Sequence, residues 1–224
     1  MSKIALRKLF KPAPVLAAAL SIVSLSALAQ EAQSSPWGVY LGGSYGIGVN
    51  TRPCNGMGDH DLGGCERAAT AGKLFGGYHL TPGLALEASY YYFGSLKKYQ
   101  GPGKTAPAVG ELYDATYKDR AHGASLGINW EVELSGNFTN HLRVGVGRVR
   151  LVKDGSKSTV TSTTPVYAVT TKDDSETYYT NVPYVGAGLS GKLNDYLRLF
   201  TGVDLFVNGH KSLLMLGAGV SVEY

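Results

Sequence analysis

Serine and histidine are the residues with which this chain could perform nucleophilic chemistry. A serine hydroxyl becomes a nucleophile when a general base lies within hydrogen-bond reach. The nearest pair is His122 and Ser125, three positions apart in a segment that alternates like a β-strand. An odd spacing on a strand directs the two side chains to opposite faces, and His141 has no evident serine partner in the sequence. We therefore predict no catalytic residues and no enzymatic activity.

Asp59, His60 and Asp61 carry the side chains most suited to binding a metal ion. They are consecutive and lie in a glycine-rich polar stretch, whereas a preformed metal site holds its ligands in a fixed geometry. A solvated loop explains these residues better than a metal site does. The sequence therefore predicts neither a metal site nor a bound cofactor.

The first 29 residues have the pattern of a cleaved secretory signal. A basic start is followed by an apolar run at 15–28, and Ala27-Leu28-Ala29 before Gln30 is an A-x-A-like cleavage site. The apolar run of about 14 residues is shorter than the roughly 20 that a membrane-spanning helix needs. We predict a signal peptide over 1–29, cleavage between Ala29 and Gln30, and one mature domain over 30–224. The basic residues of the leader are Lys3, Arg7, Lys8 and Lys11.

The leader also accounts for the net charge of the chain. The formal charge is +4 at pH 7, and the leader holds four cations and no acid, so the mature chain is close to neutral. Binding to nucleic acid therefore has no electrostatic basis. The 30 glycines and 15 tyrosines are typical of curved strands with aromatic side chains at membrane interfaces.

Cys54 and Cys65 are the two cysteines of the chain and lie in the same polar stretch. An exported protein faces an oxidising compartment, where such a pair forms a disulfide. We predict a Cys54–Cys65 disulfide that stiffens this stretch, with two free thiols as the alternative.

Eight segments alternate between apolar residues and small or polar residues. In the last one, the even positions from 214 to 224 are apolar or aromatic, and the odd positions are mostly small, flexible or polar. Lipid-facing and lumen-facing residues alternate in this way in transmembrane β-barrels. In the fifth segment the alternation slips near Arg148, which predicts a bulge or the membrane edge. The predicted strands are 37–49, 73–80, 84–93, 122–134, 142–151, 182–191, 197–207 and 213–224.

Short turns alternate with long polar stretches along the chain. The turns lie at 81–83, 135–137 and 192–195, and the long stretches lie at 51–70, 96–120 and 153–176. We therefore predict an all-β, eight-stranded antiparallel up-and-down transmembrane β-barrel with short periplasmic turns and longer extracellular loops. A soluble β-sandwich or lipocalin-like barrel is the alternative, and it would have to bury the apolar face. The predicted aromatic girdles are Trp37, Tyr78, Trp130 and Tyr224 at one interface and Tyr45, Tyr90 and Tyr92 at the other.

Several segments, which together span most of the mature chain, resemble a known family. Residues 74–96, LFGGYHLTPGLALEASYYYFGSL, are similar to the second hairpin of OmpA-type outer-membrane barrels, and 143–150, RVGVGRVR, resembles their fifth strand. Residues 183–203 and the last predicted strand are similar to their sixth to eighth strands in spacing and composition. The OmpX/Ail and opacity-type barrels share these features. The resemblance implies a monomer in the outer membrane of a Gram-negative envelope, in contact with outer-membrane lipid and lipopolysaccharide. It also implies delivery by periplasmic chaperones and by the barrel-insertion machinery.

The family resemblance also predicts a charged network inside the barrel. Glu87 and Arg143 match positions of that network, whereas Asn129 and Ser190 replace a lysine and a glutamate of the family. We therefore expect no family-type gate. An eight-stranded barrel is just wide enough for side chains to fill it, so we expect Glu87 to pair with Arg143 or Arg198. The further interior charges predicted by the alternation are Glu131, Glu133, Arg198 and Asp204.

The predicted function is a structural or surface-interaction role in the outer membrane. The family implies that this role is envelope integrity, adhesion, or contact with a host or surface ligand through the loops. A narrow pore for small solutes is the first alternative, and a lipid-modifying outer-membrane enzyme is the second.

Overall fold

The computed structural model describes residues 38–51, 64, 66–101, 107–163, 168–209 and 212–224. These residues form eight antiparallel strands in a closed barrel, in which each strand pairs with the next and β8 pairs with β1. The predicted up-and-down barrel is therefore confirmed. The strands are β1 (Val39–Asn50), β2 (Ala68–Thr81), β3 (Leu84–Gln100), β4 (Leu112–Ser135), β5 (Phe138–Ser162), β6 (Ala168–Lys192), β7 (Leu197–Phe206) and β8 (Leu213–Glu223).

Several predictions fall on residues outside these ranges. They are the cleavage site between Ala29 and Gln30, the 59–61 stretch, the pair Cys54 and Cys65, and Trp37. Within the ranges, no helix is long and apolar enough to cross a membrane.

The barrel is apolar on its outside and polar on its inside. Leu41 and Leu74 point outward and are 64% and 66% exposed, whereas Lys73 and Glu87 point inward and are 2% and 4% exposed. Consecutive residues of a strand face opposite sides, so one alternating sequence produces both surfaces. Soluble sandwiches and lipocalin-like barrels have the opposite arrangement, so both are excluded. The predicted girdle residues Tyr45, Tyr78, Tyr90, Tyr92, Trp130 and Tyr224 are also exposed.

Glycine permits the close approach of β1 and β8 that closes the barrel. Gly46 pairs with Gly217 across this seam. A Cβ atom on Gly46 would overlap the carbonyl group of Leu216, and one on Gly219 would overlap the carbonyl group of Gly43. A side chain at either position would therefore push the two strands apart.

Side chains fill the lumen in layers. Toward the extended ends of β3 to β6, Tyr91, Phe93 and Phe206 belong to one buried cluster, in which the ring centroids of Tyr91 and Phe206 are 4.9 Å apart. Toward the short turns, Phe75 and Phe200 belong to a second cluster. Charged side chains occupy the space between these layers and the space beside the turns.

Five strands are longer than the sequence predicted. Most of 96–120 and of 153–176 is strand, because β3 and β5 end later, and β4 and β6 begin earlier, than predicted. β2 likewise begins inside the predicted 51–70 loop. Pairing continues through Lys153↔Glu176 in this region. Most residues on both faces of these extensions are polar, so the extensions lack the regular apolar alternation that marks a half-buried strand.

The bulge considered near Arg148 is not present. β5 pairs without a register shift from Thr139 to Ser158 with both β4 and β6. Arg148 therefore keeps the outward orientation of Val146, and only the chemistry of the outward face changes there. This agrees with the other explanation of the slip, the membrane edge, since the apolar outer wall of β5 ends at Arg148.

Candidate functional site in the lumen and on the protruding sheet

Four buried charged side chains meet in the middle of the lumen. Lys73 Nζ lies 3.2 Å from Glu87 Oε1 and 3.3 Å from Asp204 Oδ2. Arg143 reaches the same two carboxylates, with Nε 3.4 Å from Glu87 Oε1 and Nη1 3.2 Å from Asp204 Oδ1. Each of the four residues is at most 4% exposed. We call them the charged quartet; each cation bridges both anions, and the quartet has no net charge.

Hydroxyl groups complete the surroundings of the two carboxylates. Tyr40 Oη donates to Glu87 at 2.9 Å, and Tyr184 Oη donates to Asp204 at 2.5 Å. Tyr91 Oη donates in turn to Tyr184 Oη at 2.8 Å. Buried charges are stable when they are both paired and hydrogen-bonded, and these two carboxylates meet that condition.

Lys73 is the member of the quartet that the sequence analysis missed. The signal for it was present, because Lys73 precedes Leu74 on a segment whose even positions are apolar or glycine, and alternation directs it inward. The structure pairs Glu87 with Arg143 and not with Arg198. The resemblance had suggested an incomplete network, with Asn129 and Ser190 at two of its positions. Lys73 and Asp204 supply the second cation and the second anion from other strands.

A second polar cluster lies at the end of the lumen beside the short turns. Its centre is Glu131, with His79 Nε2 3.4 Å from Oε2 and His141 Nδ1 3.6 Å from Oε1. Asn129 Nδ2 donates to Glu131 Oε1 at 2.9 Å. On the far side of its ring, His141 Nε2 lies 2.7 Å from Ser190 Oγ. The interior charge of Glu131 is thus held by three neighbours.

Two serine–histidine arrangements bear on nucleophilic chemistry. Ser190 contacts His141, and His141 contacts Glu131, which is the arrangement of a serine hydrolase triad. Spacing within one strand could not reveal it, because Ser190 lies on the neighbouring strand. Ser190 is 2% exposed, and the adjoining cavity of about 20 Å³ holds about one water molecule, so an ester or amide substrate does not fit. His122 faces outward, whereas Ser125 is buried inside, so this pair does not meet.

The remaining predicted charges lie near the turns. Arg198 Nε lies 2.7 Å from Glu223 Oε1, and its Nη1 donates to Thr139 Oγ1 at 3.2 Å. Glu133 is half-buried near the turn between β4 and β5. In the part of the chain that the structure describes, no group of three His, Cys, Asp or Glu could hold a metal ion.

Strands β3 to β6 continue past the barrel as a four-stranded sheet. We call residues 95–100, 112–120, 152–162 and 168–178 the protruding sheet. Side chains link its strands, and such cross-strand pairs stabilise a sheet. The ion pairs are Lys98–Asp119, Arg120–Asp154 and, at 3.2 Å, Lys153–Asp174. The region is therefore an ordered sheet and not a set of independent loops.

Two groups of the protruding sheet have shifted ionisation. Burial opposes the charge on Lys153, but the hydrogen bond and the charge of Asp174 outweigh it and raise the pKa of Lys153. Hydrogen bonds from the Arg120 guanidinium and then from the Ser175 hydroxyl hold the pKa of Asp154 below its usual range. Both shifts favour the charged forms, so both ion pairs are formed at neutral pH.

One edge of the protruding sheet has no partner strand within the described residues. β6 pairs with β5 from Ala168 onward, but it pairs with β7 only from Tyr184 onward. The carbonyl of Pro183 accepts a hydrogen bond from Val207 N at 3.0 Å, and proline has no N–H with which to extend that ladder. Residues 168–182 thus form an open edge. Its charged residues are Lys172, Asp173, Asp174 and Glu176, which sum to a negative charge.

The sequence matches the profile of the outer membrane protein beta-barrel domain family over residues 15–222. No curated protein is significantly similar to the chain. Among solved structures, Ail of Yersinia pestis is 9% identical, covering 84% of this chain and 99% of its own, with a TM-score of 0.49. OprG of Pseudomonas aeruginosa is 11% identical over 84% and 96% of the two chains, with a TM-score of 0.49. The N-terminal barrel of OprF from the same organism is 13% identical over 84% and 97%, with a TM-score of 0.46.

Proposed function

The chain belongs to the outer membrane protein β-barrel family and lies in the outer membrane, and on that premise we propose that its open edge binds an extended, positively charged segment of a surface ligand. The open edge carries this proposal. An exposed strand edge can accept a further strand, and the main-chain hydrogen bonds then provide the affinity. Because ion pairs hold the protruding sheet in shape, the edge is preorganised for such pairing.

The charge of the open edge determines which partner fits. Asp173 is exposed on this edge, and Asp174 and Glu176 lie beside it. A basic segment would place cations next to these carboxylates, whereas a second copy of the same edge would place acid opposite acid. Like charges directly opposite each other destabilise a strand pair. The proposed ligand is therefore basic, and the protein itself acts as a monomer.

The filled lumen supports a contact role over a pore. The charged quartet occupies the middle of the barrel, and the cluster containing Tyr91, Phe93 and Phe206 occupies the extracellular side. The cavity lined by Tyr40 and Phe200 has room for about one water molecule. Solute passage would require several buried side chains to move together. The barrel then contributes to the envelope as a closed anchor for the protruding sheet.

Export and assembly form part of the proposal. Residues 1–29 act as a signal peptide, so that the mature protein begins at Gln30 and comprises residues 30–224. Periplasmic chaperones and the barrel-insertion machinery then deliver it to the membrane. The intact mass of protein purified from outer membranes tests this step, since cleavage elsewhere than between Ala29 and Gln30 would give a different mass.

Peptide binding to the mature protein in lipid nanodiscs tests the proposed ligand class. The probes are two fluorescent extended peptides of equal length, one rich in lysine and one rich in glutamate, with binding followed by anisotropy. We expect only the basic peptide to bind. Asp173→Lys should weaken that binding several-fold, and Thr177→Pro, which removes one edge N–H, should weaken it as well. Asp195→Lys, an exposed reversal at the opposite end of the barrel, should have no effect.

Three results would contradict this function. They are equal binding of the two peptides, no binding of either, or loss of binding in the Asp195→Lys control. Conductance in planar bilayers tests the pore alternative, since steady nanosiemens channels from pure protein would favour it.

A further inference from the structure

Two arginines lie on the outer wall of the barrel at the point where its apolar surface ends. Arg148 and Arg150 are exposed and continue the outward face of Val144 and Val146, which are 56% and 67% exposed. Beyond them, the same face of β5 carries Asp154, which belongs to the protruding sheet. The arginines therefore mark the change from an apolar wall to a polar one.

The position of the two arginines along the membrane normal follows from their pairing with β4, measured from Trp130. Arg150 pairs with His122, which is eight positions from Trp130 of the periplasmic girdle. At about 3.3 Å per residue and a strand tilt of about 40°, this separation is about 20 Å along the membrane normal. The apolar band of such barrels is about 25 Å tall, so Arg150 lies close to the level of the outer-leaflet headgroups. Tyr92 and Tyr179 complete the same cross-strand row.

Neither arginine forms an ion pair with any residue that the structure describes. Their guanidinium carbons instead lie 5.3 Å and 5.8 Å from the ring centroid of Tyr179. Arg120, the next outward cation, is paired with Asp154 and leaves no carboxylate for them. Two like charges are thus held side by side over one aromatic ring, and a bound anion would relieve their repulsion.

We propose that Arg148, Arg150 and Tyr179 bind the phosphate group of an outer-leaflet lipid. A guanidinium group presents a planar fork of donors that matches the oxygens of a phosphate, and two such groups can hold one phosphate from both sides. The ring of Tyr179 orients both forks. The exposed valines directly below provide an apolar wall for acyl chains, which favours a lipid phosphate over a free phosphate ion.

Lipid retention by the mature protein tests this site. Nanodiscs of zwitterionic phospholipid would contain either diphosphorylated lipid A or the same lipid without its phosphates, and native mass spectrometry would count the bound molecules. We expect the phosphorylated form to be retained about tenfold better, which corresponds to about 1.4 kcal/mol. Arg148→Gln with Arg150→Gln should abolish this preference. Arg148→Lys with Arg150→Lys should retain part of it, because the charge remains and the planar fork is lost.

The matched control removes two exposed cations from the protruding sheet, by Lys118→Gln with Lys157→Gln, and should behave as the wild type does. Heat-modifiable migration on gels verifies the folding of every variant. Equal retention of the two lipids by the wild type would overturn the proposal, and that comparison needs no variant. An unchanged preference in the Gln variant, or an equal loss in the control, would also overturn it. Loss of the preference in millimolar inorganic phosphate would assign the site to the free ion.

Discussion

Replacing Lys73 with methionine measures what the charged quartet contributes to stability. The ammonium group bridges Glu87 and Asp204 at 3.2 Å and 3.3 Å, and its side chain has no exposed surface. Its removal leaves Arg143 as the one quartet cation for two buried carboxylates. Removing one partner of a buried pair typically costs about 3–5 kcal/mol. We expect Lys73→Met to lower the free energy of unfolding by that amount, since methionine is similar in length to lysine and the loss is mainly electrostatic.

A second substitution shows whether the loss arises from uncompensated charge. Glu87→Gln in the Lys73→Met background restores neutrality and leaves the Arg143–Asp204 contact at 3.2 Å. The double variant should therefore be more stable than the sum of the single effects predicts, by about 2 kcal/mol, within the range found for residues that share a network. Lys153→Met is the control. That lysine is 33% exposed in its side chain and pairs with Asp174 at the surface, so its removal should cost about 0–1 kcal/mol.

Urea titrations of folding into phospholipid vesicles provide the measurement, with tryptophan fluorescence and heat-modifiable gel migration as two independent probes. The reasoning would be refuted if Lys73→Met changed the free energy of unfolding by no more than Lys153→Met does. It would also be refuted if the two quartet substitutions were additive, because additivity means that the charges do not interact.

Three further outcomes follow from the structure. Ile128→Arg on the lipid face should cost about 2–4 kcal/mol in the same titration if the new charge reaches the midplane, and Thr116→Arg above the membrane should cost almost nothing. The carboxyl of Asp154 should titrate below the usual aspartate range by NMR. The stabilising effect of its ion pair is present above the pKa of the unfolded state and should be lost as the pH falls through the folded pKa. Reduction of the predicted Cys54–Cys65 disulfide should increase proteolysis between residues 52 and 67 while the barrel keeps its gel shift; two free thiols in exported protein would contradict the prediction.

Alternation predicts a strand when the two faces of that strand meet different environments. In the membrane, β8 has lipid on one side and the polar lumen on the other, so residues 214–224 show the pattern clearly. The extended parts of β5 and β6 have polar residues on both faces, as in the consecutive pairs Lys153↔Glu176 and Asp154↔Ser175. No periodicity then separates strand from loop. The pairing of these extensions continues the register of the barrel strands, and it could be found only from that register.

The same reasoning determines how much of the lumen could be predicted from the sequence. Alternation places Glu87, Arg143 and Asp204 inside, because each falls between outward apolar neighbours. The partner of each charge depends on the register across the barrel, which a single sequence does not contain. The contact of His141 with Ser190 shows this, since the two lie on different strands and meet only through the β5–β6 register.

The charged quartet also shows that a lumen position can be supplied from more than one strand. The family network places a lysine at the position of Asn129 on β4, whereas here the second cation comes from Lys73 on β2. Both positions point into the same narrow interior, and Asn129 donates to Tyr40 at 3.2 Å, which in turn donates to Glu87. An interior this small requires that the buried charges sum to zero within reach of one another. That requirement constrains the set of inward charges, and it leaves open which strand supplies each one.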